Sequence, residues 1–134
     1  MAYMHVSKRS PRQEYRLKQR ARIEASPLIA KKFPRLKGLK VMLEFFDASG
    51  STKQGEMKCK VNVEHAKAEL WFGCPGVECT CGDFDLSEAL AKAVAGRRKV
   101  ATGQLRCQGT RMRDKRMPVM CGTLLRYKLN LNYD

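Results

Sequence analysis

Six cysteines, at positions 59, 74, 79, 81, 107 and 121, are the residues of this 134-residue chain best suited to chemistry. The most informative string is CPGVECTCG, over residues 74–82. A zinc ion needs four soft or borderline ligands at tetrahedral corners, with sulfur about 2.3 Å away. A short loop with two cysteines and a glycine can wrap half of that sphere. The other half must come from elsewhere in the chain, and Cys107 and Cys121 qualify. Cys107 closes one extended segment and Cys121 opens another, so a hairpin of the two sets them side by side at one end. The expected ligands are Cys74, Cys79, Cys107 and Cys121, with Cys81 as the alternate to Cys79. Cys79 is preferred because it leaves four residues for the loop to turn and frees Cys81-Gly82 to lead onward. Four thiolates leave no coordination position for water, so one zinc held this way is structural and does no chemistry. Cys59 sits mid-strand on an apolar face and reads as a small buried hydrophobe.

Paired cysteines in a glycine-containing turn, followed by a distant second pair, resemble a zinc ribbon or zinc knuckle over about residues 71–123. That resemblance implies a structural four-cysteine module. An iron–sulfur cluster accepts the same ligands, but the tight ferredoxin spacing is absent. Three disulfides are disfavoured because the start, MAYMHVSKRSPR, has no apolar stretch behind its charges. The expected setting is therefore reducing and cytoplasmic, where clustered cysteines bind metal or do redox work. Cys79 and Cys81 as a vicinal redox pair lack both the C-x-x-C spacing and a βαβ context. His5 and His65 adjoin neither Cys nor Ser in a nucleophile pattern, and P-loop, G-x-G-x-x-G and G-x-S-x-G motifs are missing. The chain is not expected to be an enzyme or to take a small-molecule substrate.

The charge points to the partner. Lys and Arg number 27 against 13 Asp and Glu, a formal net charge of +14. Residues 1–38 hold 11 of those cations against Glu14 and Glu24, so this third of the chain carries most of the excess. Basic extensions gain free energy by releasing counterions from phosphate backbones. The candidate contacts there are Lys8, Arg9, Arg12, Arg16, Lys18, Arg20, Arg22, Lys31, Lys32 and Arg35. Two further clusters lie beyond it. Arg97, Arg98 and Lys99 end a helix, and Arg111, Arg113, Lys115 and Arg116 fill a segment opposed only by Asp114, with Arg126 and Lys128 beside them on the last strand. An anionic membrane is a weaker partner, since the basic stretch lacks a broad Trp/Phe/Leu face. No run approaches the roughly 18 apolar residues of a membrane span.

The elements that must position these groups follow from periodicity. Ser10-Pro11 with Gln13 reads as a capped start for a helix running to about residue 25. Its apolar stripe is ragged, so it is expected to order only against a partner. Residues 26–33 give a second short helix, ended by Pro34. Strand-like alternation begins at residue 39: Leu39, Val41, Leu43 and Phe45 face in, and Lys40, Met42 and Glu44 alternate with them. Met57, Cys59, Val61 and Val63 repeat the pattern, and a third extended segment ends in Trp71-Phe72. The main helix follows the cysteines, with Asp85 and Glu88 as a capping pair and Gly96 as its stop. A fourth strand spans residues 99–109, a basic loop follows, and a fifth strand carries Leu125, Tyr127, Leu129, Leu131 and Tyr133 on one face.

The expected fold is therefore α+β: an antiparallel sheet of about five strands with one main helix, a four-cysteine knuckle, and a basic helical N-terminal extension. The extension is residues 1–38 and the zinc-stabilised domain residues 39–134. A basic tail on a small zinc domain resembles the build of small ribosomal proteins, and that resemblance implies ribosomal RNA with neighbouring ribosomal proteins as the expected partner. The alternative is a DNA-binding, transcription-associated zinc protein, and a thiol redox enzyme ranks third.

Overall fold

The computed structural model describes residues 11–76, 79, 82–114 and 117–134. Four long-range strands form one antiparallel sheet: β1 (Leu36–Phe46), β2 (Lys53–Val61), β5 (Val100–Arg106) and β8 (Leu124–Tyr133), in the order β2-β1-β8-β5. β1 is the centre of assembly. Leu39, Val41, Leu43 and Phe45 pair across to Leu131, Leu129, Tyr127 and Leu125 of β8, so one face is apolar row by row. β3 (Trp71–Gly73) and β4 (Asp83–Asp85) form a second small sheet, and β6 (Thr110–Asp114) and β7 (Met117–Met120) a third.

Three helices complete the described chain: α1 (Pro11–Ala25), α2 (Ile29–Lys32) and α3 (Ser87–Ala95). The inner sheet face is covered by α3, α2 and the β3–β4 arm. Phe84, Leu86, Leu90, Ala93 and Ile29 join the sheet leucines in a single buried cluster, with the Phe45 and Phe84 rings 5.9 Å apart. The opposite face is open to solvent: Lys40, Lys58, Lys60, Thr102, Gln104, Arg126 and Lys128 are all exposed.

Three expectations are corrected. The main sheet has four strands rather than five, because the segment before Trp71 is turned, not extended. His65 and Ala66 N–H groups bond back to the Asn62 carbonyl, while Ala66 and Val63 carbonyls accept from Ile29 and Ala30 of α2. That backbone is already satisfied and has nothing to offer a sheet. The expected basic loop at 110–120 instead holds the β6–β7 hairpin, with Thr110 opposite Met120 and Arg111 opposite Val119. In T-R-M-R-D the one apolar residue is Met112, so no apolar alternation marks the segment as a strand. α3 stops at Ala95 with Gly96 as its C-cap, as expected. Arg97, not Gly96, takes the left-handed conformation, at φ 50°. Arg98 N–H bonds to the Ala93 carbonyl and Arg97 N–H to Val94, a Schellman closure displaced one residue past the glycine. At the other end, the Asp85 carboxylate accepts the Ser87 N–H at 2.8 Å, whereas Glu88 pairs with Lys92 instead of closing a capping box.

Candidate metal centre

The four expected ligands converge. The sulfurs of Cys74, Cys79, Cys107 and Cys121 all lie within 4.8 Å of one another. Cys79 and Cys107 sulfurs are 3.6 Å apart, and those of Cys74 and Cys121 are 3.8 Å apart. Four sulfurs at about 2.3 Å from one tetrahedral ion stand about 3.8 Å apart, so these separations fit a single ion. They are far too long for disulfides. Cys107 and Cys121 are fully buried, and Cys74 and Cys79 half-buried. The alternate ligand Cys81 lies outside the described residues, as does its neighbour Thr80 in the redox-pair reading. Cys59 sits on the inner face of β2, half-buried opposite Val41, in keeping with a packing role.

Local backbone holds each sulfur. Cys74 follows β3, and its N–H bonds to the Gly82 carbonyl, which closes the loop before β4. Cys79 N–H bonds to Gly76 across the turn. Cys107 N–H bonds to Thr123, and Cys121 N–H to Gly109 at 2.8 Å, so these two cysteines sit at the base from which β6–β7 springs. The sulfurs themselves accept bonds: Gly76 N–H to Cys74 and Gly109 N–H to Cys107, both at 3.3 Å, and the Thr123 hydroxyl 3.1 Å from Cys121. Thiolates need such donors, because each carries charge in a buried or half-buried place.

The glycines here permit close approach. A Cβ on Gly82 would sit 2.5 Å from the Cys107 sulfur and closer still to that of Cys79. One on Gly109 would meet Gly82 Cα at 2.6 Å and the Cys79 sulfur at 2.8 Å. Gly76, Gly82, Gly109 and Thr123 were not among the expected site residues. The signal for Gly76 and Gly109 was a repeated Cys-x-Gly, at 74–76 and again at 107–109, which puts an N–H two residues after each cysteine.

Titration of the thiols follows from burial and these bonds. Burial pushes Cys79 up to about 12, and burial also raises Cys107. At Cys121 burial is outweighed by the Thr123 hydroxyl and N–H, with Cys79 and Cys74 adding to them, and its pKa falls to about 7. The cage thus holds protons on some of its sulfurs until a cation replaces them. Its donor set suits one thiophilic ion with a closed shell.

α1 lies against this knuckle. The Tyr15 hydroxyl donates to both carboxylate oxygens of Asp83, at 2.7 and 2.9 Å, and the Gln19 amide donates to Asp83 as well. Arg22 pairs with Glu69 at 3.5 Å and stacks over Trp71. The Trp71 Nε1 donates to Glu69, which together with Ser87 and Arg22 holds that carboxyl below its usual range. Gln19, Arg22 and Ile23 lie at helical spacing beneath Tyr15, and these, more than an apolar stripe, dock the helix.

The expected phosphate contacts distribute as follows. Arg16, Lys18, Arg20 and Arg22 are exposed on α1, and Arg12 belongs to its first turn. Lys31, Lys32 and Arg35 are exposed around α2, and Arg97, Arg98 and Lys99 at the end of α3. Arg111 and Arg113 belong to β6. Arg126 and Lys128 are exposed on the open sheet face, with Arg126 4.8 Å over the Phe46 ring. Lys8, Arg9, Lys115 and Arg116 lie outside the described residues. Comparisons with protein-family models, curated proteins and solved structures find no match for this chain. Among the described residues, no helix is long and apolar enough to cross a membrane.

Proposed function

We propose that this chain is a non-enzymatic, zinc-stabilised RNA-binding protein of the cytoplasm that works in, or attached to, ribosomal particles. The carrying observation is where the four sulfurs meet. Cys107 and Cys121 bracket the base of the β6–β7 hairpin, whose sequence is rich in arginine, and Cys74 and Cys79 belong to the loop beside α1. One ion bound there ties two basic elements to the same scaffold. Zinc is the natural occupant of four thiolates at these separations, and with all four positions filled by protein its role is structural. Folding free energy from the metal is then available to fix the surfaces that meet phosphates.

RNA is favoured by the form of the charge. Cations lie on a helix, a hairpin and a sheet rather than along one recognition helix, as suits a structured polyanion with phosphates on several sides. Ribosomal RNA and its neighbouring proteins are the partners of this reading. Its test is sedimentation of the native protein from a gentle lysate at low and high salt, with and without ribonuclease. Comigration with ribosomal particles, abolished by ribonuclease or high salt, supports the reading. Slow sedimentation as a free 15.2 kDa chain in every condition contradicts it. A preference of the purified protein for duplex DNA over structured RNA at matched salt would move the DNA-binding alternative ahead.

A further inference from the structure

The open face of the four-stranded sheet carries a charge arrangement that folding alone does not favour. Lys40 of β1 is directly opposite Lys60 of β2, and Met42, one step along the face, lies between Lys58 of β2 and Lys128 of β8. Opposed side chains on a sheet have Cβ atoms about 4.5–5.5 Å apart, and like charges in that position are destabilising. The acids of this face do not relieve them. Glu44 and Glu56 are opposite each other in the next row, and both are engaged by Lys53, at 3.1 and 2.9 Å. Lys40, Lys58, Lys60 and Lys128 are exposed, and none has an ion-pair partner among the described residues.

Beside them the face is concave. A groove of about 550 Å³ runs along this end of the sheet, lined by Lys40, Lys60 and Lys99 with the carboxamides of Asn130 and Asn132. Val100, 48% exposed, gives it an apolar wall. Three ammonium groups and two amides around an apolar surface match the alternation of phosphate and sugar along a nucleic-acid strand. Across the described open face the aromatic ring is Phe46, and it is already covered by Arg126. Base stacking therefore has no platform here, whereas phosphate contact has several.

The geometry points to the open face of the β2-β1-β8-β5 sheet as a second RNA-binding surface, which grips the sugar–phosphate backbone through Lys40, Lys58, Lys60 and Lys128. The inference rests on the RNA-binding reading and adds a site to it, on the side of the sheet away from α3. Repulsion among the four lysines is relieved when phosphates lie between them. Binding at this face is insensitive to base identity and steeply sensitive to salt.

The test uses the full, zinc-loaded chain and a fluorescein-labelled single-stranded RNA, titrated by anisotropy across a series of salt concentrations. The variant carries Lys40→Gln, Lys58→Gln, Lys60→Gln and Lys128→Gln together. Each lost phosphate contact on a single strand removes about 0.7 from the slope of log affinity against log salt, so a fall of about 3 is expected. Exposed glutamines on strands should leave the thermal midpoint unchanged or slightly raised, since like charges are removed. If the fourfold variant does not fold, Lys40→Gln with Lys60→Gln alone should lower the slope by about 1.4. A folded variant that binds RNA with the wild-type slope overturns this surface and leaves the RNA-binding reading standing. Wild-type protein that shows no salt-dependent RNA binding overturns both.

Discussion

Gly82→Ala isolates the geometry of the metal cage from everything else in the chain. The new methyl carbon would lie 2.5 Å from the Cys107 sulfur and nearer to Cys79, while ordinary contact starts at 3.4 Å. At least one sulfur must therefore retreat by about 0.9 Å, several times the roughly 0.2 Å by which metal–ligand distances vary in sound sites. Backbone cannot absorb the move cheaply, since the Gly82 carbonyl holds Cys74 N–H and the Gly82 backbone lies close against Gly109. Losing one of four ligands forfeits about a quarter of the roughly 10–16 kcal/mol of structural zinc binding, or about 3–4 kcal/mol. Zinc affinity should then fall by two to three orders of magnitude. The assay is competition with a chromophoric zinc chelator, with cobalt substitution to report loss of tetrahedral thiolate ligation. Gly73→Ala is the control, because its Cβ would meet nothing within 4 Å although it lies in the adjoining strand. Affinity of Gly82→Ala within about threefold of that control would refute the assignment of this cage.

Three further outcomes follow from the same structure. Arg97→Gly relieves a left-handed residue at the close of α3 and should stabilise the protein by about 1 kcal/mol, read as a thermal midpoint higher by about 3–5 °C; an unchanged midpoint contradicts the strain. Asp83→Asn removes charge from the acceptor of Tyr15 and Gln19 and should loosen α1 by about 1–2 kcal/mol, seen as faster hydrogen exchange of its amides; unaltered protection would reject this docking. Zinc affinity should rise with pH by at least about 100-fold per unit between pH 6 and 8, since burial keeps Cys79 and Cys107 protonated until the ion displaces two or more protons. In the metal-free chain the sign reverses. Thiols raised above their ordinary value of 9.0 favour the folded state at lower pH, and that contribution is lost as pH climbs past 9. A pH-independent zinc affinity would contradict the cage.

Much of this was legible in the residues, for identifiable reasons. Alternation in β1 and β8 placed Leu39, Val41, Leu43, Leu125, Leu129 and Leu131 inside, because a half-buried strand writes its core into every second residue. The four sulfurs were legible because a closing hairpin and a short loop leave few other ways to gather them. The rest needed tertiary information. Residues 62–70 look extended until α2 claims their carbonyls. The β6–β7 strands are hidden because charged residues leave Met112 as the one apolar side chain of β6, with no alternation to show. Lys40, Lys58 and Lys60 passed as ordinary solvent-facing alternates, since only the register of β1 with β2 and β8 shows that they stand together. Gly96 is legible as the stop of α3, whereas the left-handed turn at Arg97 that closes it is not.

The cage of Cys74, Cys79, Cys107 and Cys121 is built to hold one ion. Native mass spectrometry of the full chain, purified under reducing conditions without chelator, tests it most directly. The expected result is a single zinc per chain, lost together with folded structure when Cys107 is replaced by serine. A reduced, folded chain whose intact mass carries no metal would contradict the account at its centre.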